Sequence, residues 1–195
     1  MPASAERMRV KGSGWALLGL AWLLRIFPLR WLLAAFAAAA LHEAGHYCAV
    51  YLLGGRVRQL TLGGTGAVMA CENLSPGREI LCILAGPATG FALLGLLRCF
   101  PRLAICGLVT GAYNLLPIAP LDGARALEHL AAIVFSPIAA RRISFAAEAA
   151  CLAVLLAAAV AAWWLHLGLA PLCFVLFMLL RAKNSLQIGA KGSTI

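Results

Sequence analysis

Ten apolar residues, Trp31-Leu32-Leu33-Ala34-Ala35-Phe36-Ala37-Ala38-Ala39-Ala40, run without a break into Leu41-His42-Glu43-Ala44-Gly45-His46. No water-facing surface tolerates the first stretch, and no lipid-facing surface tolerates the second, so the chain must build a polar site inside an apolar helix. On a helix, residues four apart share a face, which places the two imidazoles where they can grip one metal ion. Glu43 stands beside them, where a carboxylate can take a proton from an attacking water. A chance match, or two histidines bonded into a helix bundle, is the alternative at this point.

The rest of the chain has the same character. Hydrophobic residues make up 63% and charged residues 12%, against about 45–50% and roughly 25% in a soluble domain. An all-α polytopic membrane protein is expected, with a lipid bilayer as its environment. Apolar runs fall at 13–27, 31–53, 80–97, 103–119, 143–166 and 167–180, which predicts about six transmembrane helices. The first run lacks a small-residue cleavage site and reads as a span rather than a signal peptide. His166, Gly168 and Pro171 mark a tight hairpin between the last two runs.

The net charge of +9 does not point to nucleic acid, because the basic residues are scattered over the loops. With six spans and an inner amino terminus, twelve Lys and Arg fall on the inner side and four, Arg25, Arg30, Arg98 and Arg102, on the outer side. That asymmetry predicts both termini in the cytoplasm and the two histidines in the inner half of the second span. The seven cysteines (Cys48, Cys71, Cys82, Cys99, Cys106, Cys151, Cys173) form no C-x-x-C pair and are expected to act as small buried hydrophobes. Cys48, two residues after His46, is a weak ligand candidate.

Between the second and third spans, residues 54–70 are glycine-rich, with Val57, Leu60 and Leu62 on one side and Val68 and Met69 on the other. This predicts a short membrane-associated β-hairpin. Its edge could receive an extended peptide by strand addition, or it is an ordinary cytoplasmic hairpin.

A catalytic zinc takes three protein ligands and keeps a position open. The acids available outside the motif are Glu6, Glu72, Glu79, Asp122, Glu128 and Glu148. Asp122 stands out because it closes Tyr113-Asn114-Leu115-Leu116-Pro117-Ile118-Ala119-Pro120-Leu121-Asp122-Gly123. The prolines break the helix and expose backbone that needs a polar cavity, at the membrane face expected for His42 and His46. Taken alone, the same segment also reads as a helix-ending Asp-Gly turn.

The pairing of His42-Glu43-Ala44-Gly45-His46 with a later Asn114-x-x-Pro117-x-x-x-Leu121-Asp122-Gly123 resembles the site-2 protease family of intramembrane zinc metalloproteases. Leu62-Gly63-Gly64-Thr65 and Ala85-Gly86-Pro87 are similar to its sporulation-type branch, and the likeness runs from about the second span to the sixth. The resemblance implies one Zn2+ per chain held by His42, His46 and Asp122. Glu43 would be the catalytic acid/base, and Asn114 would position substrate or stabilise the intermediate. It implies a zinc metalloendopeptidase of the bacterial cytoplasmic membrane. The enzyme would cleave a membrane-embedded or membrane-associated protein near the cytoplasmic face, such as a sigma-factor precursor or an anti-sigma factor, and would be open to inhibitory membrane partners.

Gly90 stands where many relatives have Asn. One domain is expected over residues 1–195, with a catalytic core at about 31–123, further helices at about 143–181, and neither a CBS nor a PDZ domain. Two rival readings use the same residues. One is a catalytically silent scaffold, which would need neither Glu43 nor Asp122; the other is a metal or ion transporter, for which no inverted repeat is visible.

Overall fold

The computed structural model describes residues 27–63, 66–72, 74–166 and 168–180. Helix α1 spans Leu29–Leu52. Strands β1 (Arg56–Gly63) and β2 (Gly66–Glu72) pair antiparallel, from Arg56 opposite Glu72 to Gly63 opposite Gly66, with a register shift between Val57 and Gln59. Helix α2 (Pro76–Ala92) continues as a 3-10 turn over Leu93–Leu96 and leads to α3 (Pro101–Asn114). Then come α4 (Asp122–Val134), α5 (Pro137–Trp164) and a short apolar helix α6 (Ala170–Leu180).

Prolines set several of these boundaries. Pro76, Pro101 and Pro137 sit at helix starts, where a missing N–H costs nothing and the fixed φ suits the first turn. Ser136 caps α5 by accepting a hydrogen bond from the Ala139 amide at 3.3 Å. His166 at φ 59° and Gly168 at φ 91° make the tight turn between α5 and α6. The left-handed region suits Gly, and His enters it more readily than a β-branched residue does.

Helices α1, α2 and α3 pack on one another, α4 packs against α2, and α5 packs against α4. Near the start of α1 the Arg102 guanidinium of α3 lies over the Trp31 ring, 5.9 Å from its centroid. The two helices therefore begin side by side and run the same way, which brings the end of α3 level with the polar end of α1. At that end the core is Ile118 and Leu121, packed by Tyr113, Leu116, Cys151, Leu152 and Leu155.

The expectation of about six spans needs correction. Among the described residues two segments are long and apolar enough to cross a membrane, Pro76–Leu96 with 21 residues and Pro137–Trp164 with 28. Helix α1 has the length, 24 residues or about 36 Å, but His42, Glu43 and His46 dilute its apolar content. Helix α3 stops at Asn114 ahead of the prolines, and its 14 residues reach only about 21 Å of a hydrocarbon core of about 30 Å. The described part of α6, Ala170–Leu180, is shorter still. The expected first span lies outside the described residues except for Phe27.

Large apolar side chains, among them Phe36, Leu52, Val154 and Trp164, are nonetheless exposed along the helices. A water-soluble monomer rarely exposes so many large apolar side chains. The cysteines depart from expectation too: Cys82 is buried, Cys106 and Cys151 are half-buried, and Cys48, Cys99 and Cys173 are exposed.

Candidate active site

His42 and His46 stand one turn apart on α1, their rings edge to face with centroids 4.9 Å apart. Asp122 opens α4, and the chain between Asn114 and Asp122 folds back so that this carboxylate meets both rings. His42 Nε2 lies 3.1 Å and His46 Nε2 3.2 Å from Asp122 Oδ2, and the two Nε2 atoms are 3.3 Å apart. His42 and Asp122 are buried. Among the described residues this is the group of His, Cys, Asp or Glu side chains able to hold a metal ion.

Two features test whether zinc fits. His46 Nδ1 lies 2.8 Å from the Cys82 carbonyl; a carbonyl only accepts, so Nδ1 carries the proton and donates it. In the neutral ring that leaves the Nε2 lone pair aimed at a carboxylate and a second imidazole nitrogen, an arrangement that repels unless a cation sits among them. The 3.1–3.3 Å separations also match the edges, about 3.3 Å, of a tetrahedron with arms of 2.0–2.1 Å, the usual zinc–ligand lengths. The donor set and its spacing fit zinc. His46 has the outer hydrogen bond that orients a metal-binding imidazole, whereas His42 Nδ1 is buried and meets no partner among the described residues.

Glycines let the elements come this close. A Cβ on Gly86 of α2 would run into the His46 ring, lying 2.5 Å from Cε1 and closer to Nε2. A Cβ on Gly123 would strike the Leu115 carbonyl, with the Leu116 carbonyl at 2.6 Å. The Asp-Gly pair is thus a candidate ligand followed by the one residue that lets the first turn of α4 lie against the end of α3.

A cleft of about 680 Å³ opens beside the group, lined by His42, Glu43, Tyr113, Asn114 and Phe174 among others. Glu43 is half-buried at its wall. Asn114 Nδ2 donates to the Thr110 carbonyl at 3.0 Å, and an amide NH2 has a second hydrogen left for a ligand. Tyr113 donates its hydroxyl to Met178 Sδ at 3.8 Å, and its ring meets that of Phe174 at 6.3 Å, so α6 closes one flank of the cleft.

The structure therefore brings His42, Glu43, His46, Asn114 and Asp122 to one place. The other candidate acids lie elsewhere. Glu79 pairs with His129 at 3.4 Å, joining α2 to α4, Glu128 is exposed, and Glu148 is buried on α5. Glu6 and the Glu72 side chain lie outside the described residues. Cys48 is exposed and is not among the converging ligands. Gly90 is buried against α3, where a Cβ would come 2.6 Å from the Gly107 carbonyl and 3.1 Å from Gly111 Cα. It is a helix contact with no room for Asn. Sequence reasoning missed the Cys82 carbonyl, since a backbone acceptor has no residue signature, and the close approach at Gly86.

No family model and no curated protein matches this chain in sequence. Its fold is similar to a solved structure, the site-2 protease from Methanocaldococcus jannaschii, with a TM-score of 0.62 and 20% sequence identity over 87% of this chain and 84% of that one. At that identity the likeness establishes the fold.

Proposed function

We propose that the chain is an intramembrane zinc metalloendopeptidase of the site-2 protease family. It would hydrolyse a peptide bond in a membrane-embedded or membrane-associated protein. The reading is carried by one observation: His42 Nε2, His46 Nε2 and Asp122 Oδ2 converge at 3.1–3.3 Å on the wall of a cleft that also holds Glu43 and Asn114. A scaffold has no use for three converging ligands, two of them buried, and an adjacent carboxylate. The similar fold of a site-2 protease supports the same reading.

Zinc held by His42, His46 and Asp122 would supply Lewis acidity, the chemistry peptide hydrolysis needs at neutral pH. The chain does the rest. The Cys82 carbonyl fixes the tautomer of His46. Glu43 takes the proton of the attacking water and passes it to the departing amine. Asn114 turns its second amide hydrogen to the oxyanion that develops on the scissile carbonyl. The cleft between α1, α3 and α6 receives the peptide as an unwound strand, since a helical segment hides its amides.

The finer assignments belong to the same proposal. They are the sporulation-type branch, a sigma-factor precursor or anti-sigma factor as substrate, the bacterial cytoplasmic membrane, and both termini on the cytoplasmic side.

The test is zinc per chain in detergent-purified protein, beside His46→Ala, Asp122→Ala and Glu43→Gln. About one zinc in the wild type and in Glu43→Gln, lost in the other two, is the expected result, with cleavage of a reporter membrane substrate absent from all three variants. A folded wild type without metal, or full cleavage by Glu43→Gln, sinks the reading.

A further inference from the structure

Four polar or charged side chains are buried among the described residues: His42, Asp122, Ser144 and Glu148. The first two belong to the candidate metal group. The other two stand one turn apart on α5, a helix long and apolar enough to cross a bilayer. A carboxyl at such a position is costly and calls for a partner that offsets its desolvation.

Both side chains reach the same short segment. The buried Glu148 carboxyl lies against the Ala119 amide, and Ser144 Oγ donates to the Ala124 carbonyl at 3.4 Å. Farther along α5, Cys151, Leu152 and Leu155 pack on Ile118 and Leu121. Positions 144, 148, 151, 152 and 155 share one helix face, so a single face of α5 grips residues 118–124, with Asp122 in their midst.

The segment depends on that grip. Pro117 and Pro120 have no N–H. The Ile118 amide bonds to the Leu116 carbonyl and that of Leu121 to the Ile118 carbonyl. Within residues 117–121 Ala119 carries the remaining amide, and the acceptor beside it is the Glu148 carboxyl.

We propose that Glu148 is a positioning residue of the metal site: by holding the Ala119 amide it fixes the loop that presents Asp122 to His42 and His46. It touches neither the reacting atoms nor the ligands and acts through the loop. The proposal rests on the metalloprotease reading above.

The test titrates Co2+, a visible probe of zinc sites, into the metal-free full chain in detergent micelles and measures Zn2+ affinity by chelator competition. The variants are Glu148→Met, Glu148→Asp and Glu148→Gln. Met removes the acceptor and Asp retracts it by one methylene. Each is expected to weaken metal affinity about 10–100-fold, the usual cost of losing an outer-shell contact, and to alter the Co2+ ligand-field spectrum. Gln keeps a carbonyl acceptor and should restore affinity to within about fivefold of wild type. A contact that merely added stability would lower the unfolding midpoint and leave the spectrum unchanged.

Wild-type affinity and spectrum in the Met variant overturn the proposal. If Glu148→Met does not fold, the same result in Glu148→Asp does so. A Gln variant as impaired as Met overturns it as well. A wild type that binds neither metal refutes the metalloprotease reading itself, a different result from a metal-binding wild type matched by its variants.

Discussion

Gly86→Ala puts a methyl group against the back of His46. The added Cβ would lie 2.5 Å from Cε1 and 2.7 Å from Cδ2, where carbon atoms ordinarily stand about 3.5–4.0 Å apart. Roughly an ångström must be found. The ring cannot slide freely, because its Nδ1 is held at 2.8 Å by the Cys82 carbonyl, one turn earlier on the same α2. Giving up that bond costs about 0.5–1.5 kcal/mol. Parting the helices is the other route, and overpacking of this kind costs about 1–3 kcal/mol. It is resisted at Gly45, where α1 lies so close to α2 that a Cβ would come 2.9 Å from the Ala85 carbonyl.

Metal–ligand lengths tolerate only about 0.2 Å, so either route is felt by zinc. At about 1.4 kcal/mol per tenfold, a loss of about 1–3 kcal/mol weakens zinc binding about 5–150-fold. The assay is chelator competition on detergent-purified protein, with Gly77→Ala as the control on the same helix. A Cβ at Gly77 meets nothing within 4 Å. That change should leave zinc affinity within about twofold and, if anything, stabilise the helix by up to about 1 kcal/mol. A Gly86→Ala protein that holds zinc as tightly as wild type would refute the reasoning. So would a Gly77→Ala protein that loses zinc to the same degree.

Other outcomes follow from the same geometry. Asn114→Ala should lower kcat about 10²–10³-fold, as loss of one oxyanion donor does, while zinc content stays at the wild-type level; equal loss of zinc would make Asn114 structural. Gly90→Asn should destabilise the chain by about 1–3 kcal/mol, because the Gly107 carbonyl and the Gly111 Cα occupy the space; thermal unfolding in micelles reads this, and an unchanged midpoint counts against the packing argument. Chelation should abolish cleavage of a membrane substrate, and added zinc should restore it. Activity that persists after the metal is stripped would exclude the proposed chemistry.

How much of this was legible in the chain varies by element. His42 and His46 were legible as a pair because a helix places residues four apart on one face, whatever surrounds it. Asp122 was legible as a candidate only. Five other acids competed with it, and nothing local says that the loop after Asn114 doubles back onto α1. The count of spans was overread. Apolar runs mark segments that shun water, but Pro117 and Pro120 ended α3 early, and the polar motif itself diluted α1. Glu148 stood among the candidate acids with nothing to mark it, since its significance lies in the amide of Ala119, a residue with no distinctive side chain.

By itself, the sequence determined that this chain avoids water, that it carries two histidines on one helical face with a glutamate beside them, and that prolines interrupt the chain before Asp122. These are properties of composition and of short-range spacing, which backbone geometry translates directly into local structure. Only the tertiary structure decided which acid meets the histidines, which carbonyl orients His46, and which face of α5 holds the Asp122 loop. Those contacts join residues 20 to 80 positions apart. They depend on how closely helices approach at glycines such as Gly86, a distance set by the packing of the whole bundle rather than by any stretch of its sequence.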